Sequence, residues 1–222
     1  MATIHWSLPR SEPPPHTSVT ATSIVACITA ILFLLYMLSL IWSFHNSQKS
    51  PIPTNKPSGQ KIQSFAPFVY AFMVITALAE AATSSWLLVQ YRIHGNYPNM
   101  LTRTGAIILL SSACWTCLTA GLLTHIFLHP AHRSHPVSSV GSQGLWLLIT
   151  WMLWIAGAVV VNGALPSLIT KGNCLSIVYC GQLRTLFALA VLEIVTFSGS
   201  LAVLTFLIWS SARNGHRIHT PQ

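Results

Sequence analysis

The chain has 222 residues, of which 52% are hydrophobic and 6% charged, and its mean hydropathy is +0.60. A soluble domain carries about a quarter charged residues, so a water-soluble globular fold is excluded. The net charge of +8 is spread over connecting segments and tails without a basic run. That excludes the concentrated basic face nucleic acid requires and suits loops lying near anionic headgroups.

In chain order, residues 1–20 hold three consecutive prolines, Pro13 to Pro15, and little to bury, which predicts a disordered tail. Ala21 to Ser43 carries no charge and is long enough to cross about 30 Å of hydrocarbon. The segment before it is long and only weakly basic, the apolar run exceeds a signal-peptide core, and no small-x-small site follows Trp42. These features predict a retained N-terminal transmembrane anchor helix at 21–43 rather than a cleaved leader. Residues 44–64, with Lys49, Lys56 and Lys61, read as a polar linker.

Four further spans follow, at Phe65–Tyr91, Gly105–Leu128, Leu145–Leu165 and Thr185–Trp209, with Pro166 ending the third of them and a polar tail over 211–222. Each is continuous and the connectors are short, so helices rather than barrel strands satisfy the backbone. The predicted fold class is all-α: a polytopic transmembrane helical bundle of five spans.

Glutamate is the sole acidic residue type, at Glu12, Glu80 and Glu193, and the last two interrupt apolar runs. An ionisable group at the bilayer centre costs about 2.5 kcal/mol or more. The second and fifth spans should run antiparallel. Glu80 then lies 11 residues from Tyr91 and Glu193 10 residues from Leu183, so at 1.5 Å rise per residue their depths differ by about 1.5 Å. Two carboxylates at one level in hydrocarbon cannot both stay charged. The expectation is a neutral pair, hydrogen-bonded to each other or to Ser and Thr of adjacent spans; the alternative is two independent buried glutamates, each satisfied locally.

Other residues carry weaker chemistry. In the third span Ser112, Thr116, Ala120 and Thr124 recur every fourth residue, beside Ala113, Cys117 and Gly121; Ala26, Ala30, Ala156, Gly157 and Ala158 are similar small residues. Such rows let helices approach closely in lipid, as packing inside the bundle or as contacts with another copy or other membrane proteins. Cys114 and Cys117 form a CxxC at mid-span, away from the exposed, electropositive setting a redox pair needs, and read as structural. His125, His129, His132 and His135 cluster at one span end, but Pro130 and Pro136 interrupt them and no carboxylate stands near to orient the rings, so no metal site is expected. Trp42, Trp86, Tyr91, Trp146 and Trp209 sit near span ends, where amphipathic rings prefer headgroup level; Trp151 and Trp154 are deeper, as packing residues.

Cys174 and Cys180 flank the loop before the fifth span. Outside the cytosol they would close a disulfide worth about 2 kcal/mol; inside they would be free thiols. No carboxylate pair in a water-exposed site, no serine nucleophile motif and no phosphate-binding glycine loop is present, so neither enzyme activity nor a cofactor is expected.

Three segments resemble the MARVEL-domain family of four-span membrane proteins, chiefly its fungal branch. LAEAATSSWLLVQYRIHGNYPN (78–99) is similar to the family's acidic core-span residue followed by Trp-Leu and a His-x-Asn-Tyr-Pro loop. TWMLWIAGAVVV (150–161) resembles a Thr-Trp-x-x-Trp-x-Ala-Gly pattern. NCLSIVYCGQLRTLFALAVLE (173–193) resembles a paired-cysteine loop leading into the last span through Cys-Gly-Gln-Leu. The likeness covers residues 65–210. The last span departs from it in having Leu189 and Val191 where aromatics are usual, and the anchor at 21–43 is additional. The resemblance implies a role in membrane apposition, vesicle traffic or lateral membrane organisation, without catalysis, in a plasma or secretory and endosomal membrane, with lipids and other membrane proteins as partners. An alternative of another class is a proton-coupled transporter or channel using Glu80 and Glu193.

Charge does not orient the chain: Lys49, Lys56, Lys61, Arg133, Arg213 and Arg217 face Arg10, Arg92, Arg103, Lys171 and Arg184 across the membrane, too even for the positive-inside rule. The family keeps both termini cytosolic, so the resemblance places the C-terminal tail in the cytosol. The extra span then puts the N-terminus and the cysteine loop outside, which implies a Cys174–Cys180 disulfide.

Overall fold

The computed structural model describes residues 15–48, 57–128, 140–166 and 178–217. Its helices are α1 (Pro15–Gln48), α2 (Pro57–His94), α3 (Met100–Leu128), α4 (Val140–Ala164) and α5 (Cys180–Arg217), with no strand among the described residues. All five contain a stretch long and apolar enough to cross a membrane. The protein is a helical bundle with five candidate spans.

The helices overrun the apolar runs. Residues 15–20, expected in the disordered tail, belong to α1, and the expected linker contributes 44–48 to α1 and 57–64 to α2; residues 1–14 and 49–56 lie outside the described ones. Hydrophobicity marks the part of a helix inside hydrocarbon, whereas the helix continues until its backbone groups find other partners. Pro15 and Pro57 each open a helix, where a residue with φ preset and no N–H loses nothing. Asn99 shapes the next turn. Its Oδ1 accepts from the Thr102 backbone N–H at 2.7 Å, the N-cap bond of α3, and its Nδ2 donates to the Ala164 carbonyl at 3.0 Å, closing the end of α4.

α2 to α5 form a closed up-and-down ring, each packed on its chain neighbour and α5 returning to α2, while α1 lies outside against α2 and α3. The inward seam of α2 is Tyr70, Met73, Ala77, Glu80, Ser84, Leu87 and Tyr91; that of α5 is Leu183, Leu186, Ala190, Glu193 and Phe197. Alternating steps of three and four are the heptad spacing that keeps one seam facing its partner in a left-handed bundle. Both glutamates occupy seam positions. The starts of α1, α3 and α5 share one end of the bundle with the finishes of α2 and α4; this is the upper end below.

α3 and α4 approach most closely at two glycines. A Cβ on Gly105 would stand 2.6 Å from Val161 Cγ2 and 3.2 Å from the Val161 backbone nitrogen, and one on Gly157 would stand 2.6 Å from Leu109 Cδ2. Gly105→Ala is expected to destabilise by about 1–3 kcal/mol through overpacking, because a backbone atom cannot rotate away. Gly163→Ala, where a Cβ meets nothing within 4 Å, should be neutral or slightly stabilising through helix propensity. Thermal unfolding in one detergent compares them, and equal melting temperatures would refute the close approach.

Ser112, Thr116, Ala120 and Thr124 are all buried within the chain, so this row packs inside the bundle. Ala26, Ala30 and Ala156 face outward.

A carboxyl pair inside the bundle

Glu80 and Glu193 are both fully buried, on facing seams of α2 and α5, and lie within electrostatic reach of each other. They are not bonded to one another. Glu193 Oε1 meets the hydroxyl of Thr76, one helical turn from Glu80 on α2. Glu193 Oε2 and both oxygens of Glu80 have no hydrogen-bond partner. Ser84, four residues on, donates to the Glu80 backbone carbonyl at 2.8 Å rather than to its carboxyl. The expected bond to Ser or Thr of an adjacent span is present for Glu193 and absent for Glu80.

The Thr76 hydroxyl has a choice of acceptors. Its oxygen also lies 2.9 Å from the Phe72 carbonyl and 3.2 Å from that of Met73, and one hydrogen cannot serve three acceptors. Thr83, Ser112, Thr116 and Thr124 each give their hydrogen to the carbonyl four residues back. Thr76 also has an acceptor across the seam, and its hydroxyl donates to Glu193 Oε1.

The polar residues around the pair tie helix to helix. Trp154 Nε1 donates to Thr116 Oγ1 at 3.1 Å, Trp115 Nε1 to Thr150 Oγ1 at 3.2 Å and Trp151 Nε1 to Ser198 Oγ at 2.9 Å. These bonds join α3 to α4 and α4 to α5. Every distinctive position of Thr150-Trp-x-x-Trp-x-Ala-Gly157 except Ala156 is thereby a packing position. Sequence reasoning did not single out Thr76; its place four residues before Glu80, on the same helical face, was the available signal.

The other expected residues fall as follows. Cys117 Sγ lies 3.8 Å from the Val74 carbonyl while Cys114 faces outward, and both are free thiols. His125 is held between α1 hydroxyls, Ser39 Oγ at 2.7 Å from Nε2 and Ser43 Oγ at 3.0 Å from Nδ1; His129, His132 and His135 lie outside the described residues. At the upper end Trp86 donates to Thr22 Oγ1 at 3.1 Å and packs edge-on to Tyr179 with ring centroids 5.2 Å apart. Together these two sets of contacts seat α1 at both ends. Trp42 and Trp209 face outward, with the Arg213 guanidinium 4.6 Å over the Trp209 ring.

One expected anchor is interior instead, and a second is half-buried against the core. Tyr91 is buried, and Trp146 packs between Tyr70 and Phe197 with centroids 5.5 and 5.9 Å away. Nearness to a span end sets a ring's depth but not its direction around the helix.

Cys180 is disulfide-bonded, and Cys174 lies outside the described residues. With Cys174 as its partner, thiol labelling of intact cells should reach neither cysteine until a reductant is added. Ready labelling of both without reductant would mean that the loop is cytosolic or the bond absent.

The fold and the buried pair define a multi-pass helical membrane protein. No family model, curated protein or solved structure matches the chain.

Proposed function

We propose that the protein is a non-catalytic organiser of membrane domains or vesicle cargo, acting through helix packing and lipid contact in a plasma, secretory or endosomal membrane. The observation that carries this reading is how the interior polar groups are used. Trp154 of α4 donates to Thr116 of α3 in the interior and Trp151 of α4 to Ser198 of α5 nearer the surface, so these polar groups bond one helix to the next, whereas conduction needs a continuous polar face. The resemblance of residues 65–210 to MARVEL-domain proteins adds to the same reading. Fluorescent protein reconstituted into phase-separating giant vesicles should concentrate in one lipid phase or at vesicle contacts, and pull-down in mild detergent should retain membrane proteins. Uniform distribution together with empty pull-downs would reject the role.

One observation favours a proton-coupled transporter or channel: Glu80 is fully buried without a hydrogen-bond partner, and intramembrane carboxyls serve proton relays. Proteoliposome flux that depends on a proton gradient and disappears in Glu80→Gln would establish that reading instead.

A further inference from the structure

Below the carboxyl pair the ring opens. The α5 seam is fully buried as far as Phe197, but Leu201 and Leu204 are only partly covered. In this half α5 leans on α4, where a Cβ on Gly144 would stand 3.2 Å from Leu204 Cδ2. A crevice of about 560 Å³ results, walled by Val69 and Tyr70 of α2, Leu147 of α4, and Thr196, Gly199 and Leu207 of α5. α1 does not cover it, since that helix packs on α2 and α3.

We infer that this crevice holds one acyl chain of a phospholipid from the lower leaflet. Depth is the first reason. From Thr196 to Leu207 is about 16 Å at 1.5 Å per residue, matching the roughly 15 Å that one leaflet contributes to a 30 Å hydrocarbon core. Width is the second. Spread over that length, 560 Å³ gives a section of about 35 Å² along the α5 axis, room for a single extended hydrocarbon chain. A hydrocarbon chain fills such a slot along its length, whereas a helix of a second copy would insert only side chains into it. Chemistry is the third. The walls are mainly aliphatic and aromatic; Gln143, Thr196 and Ser200 are the polar side chains among them, and the two hydroxyls donate to the Leu192 and Thr196 carbonyls at 2.8 Å each, so water gains little there, while an empty crevice would deprive its walls of dispersion contacts. Opening sideways, it admits a chain directly from the bilayer.

This deepens the lipid-contact part of the proposed role. Its test reads occupancy of one crevice, and membrane clustering is read separately, so either can fail alone. The full-length protein in phosphatidylcholine nanodiscs, with a fraction of the lipid carrying a photoreactive diazirine on one acyl chain, is irradiated and mapped by mass spectrometry. Adducts on Tyr70 and Leu147, crevice walls that are otherwise buried, should exceed several-fold those on the outward-facing Leu118 and Val159. Gly199→Phe and the smaller Gly199→Leu plug the crevice without disturbing the backbone, because a Cβ at Gly199 meets nothing within 4 Å. Both should remove the excess and leave labelling of Leu118 and Val159 unchanged. Equal labelling of walls and outer faces, or labelling indifferent to both plugs, would overturn the inference. So would displacement of the label by added sterol, or Gly199→Cys cross-linking between copies.

Discussion

Glu80→Leu is expected to raise the melting temperature of the purified protein, and Glu193→Leu to lower it. Both side chains are fully buried at equivalent seam positions, but their partners differ: Glu193 meets the Thr76 hydroxyl, and Glu80 has no hydrogen-bond partner. A buried polar group without a partner costs about 1–3 kcal/mol, and leucine removes it at nearly the same volume. Domains of this size shift by roughly 2–4 °C per kcal/mol, so Glu80→Leu should gain several degrees. Glu193→Leu loses one hydrogen bond, a net about 1 kcal/mol, whereas Glu193→Gln keeps an oxygen that can accept from Thr76 and should be milder. The doubly substituted protein should depart from additivity, since the two groups interact. A strong loss of stability in Glu80→Leu would mean that Glu80 is satisfied in the membrane, and strict additivity would dissolve the pair. A Glu80→Leu protein that is more stable but no longer clusters would mark Glu80 as a residue kept for function at the expense of stability.

The largest loss is expected at Trp154. It is fully buried, and its indole N–H donates to Thr116 at the centre of the α3–α4 contact. Trp154→Ala should cost about 3–5 kcal/mol from the cavity alone, the largest fall in melting temperature among these changes. Trp154→Phe keeps most of the volume and loses the hydrogen bond, so about 1 kcal/mol is expected from that term. Trp151→Phe serves as the control, because Trp151 is partly exposed and its bond to Ser198 lies at the bundle surface. Melting curves in detergent rank the three. Equal effects of Trp154→Phe and Trp154→Ala would show that the hydrogen bond rather than the packing holds the two helices.

Much of the site was legible in the chain. Two isolated glutamates in apolar runs, 11 and 10 residues below the upper ends of their spans, already place both at one depth, because the rise of a helix is fixed. Which groups satisfy them was not legible. Thr76 and Ser84 flank Glu80 at equal distance along the helix, yet Ser84 bonds its own backbone and Thr76 reaches Glu193 across the seam. The rotation of α5 against α2 makes that choice, and no local pattern encodes it. His125 is similar: in sequence it belongs to a histidine cluster, and in the fold both its ring nitrogens meet serines of α1.

By itself the sequence determined the membrane setting, the five spans and the antiparallel order of their neighbours, since hydrocarbon thickness and backbone satisfaction leave a run of some twenty apolar residues little alternative. Tertiary structure alone decided which face of each helix turns inward. Leu118 faces out and Leu109 is fully buried, although both are leucines of one helix. In a bilayer the lipid-facing and core-facing sides are equally apolar, so hydrophobic periodicity carries little of that distinction. Steric fit decides it instead, as at Gly105 against Val161 and Gly157 against Leu109, where only the absence of a Cβ lets the helices meet.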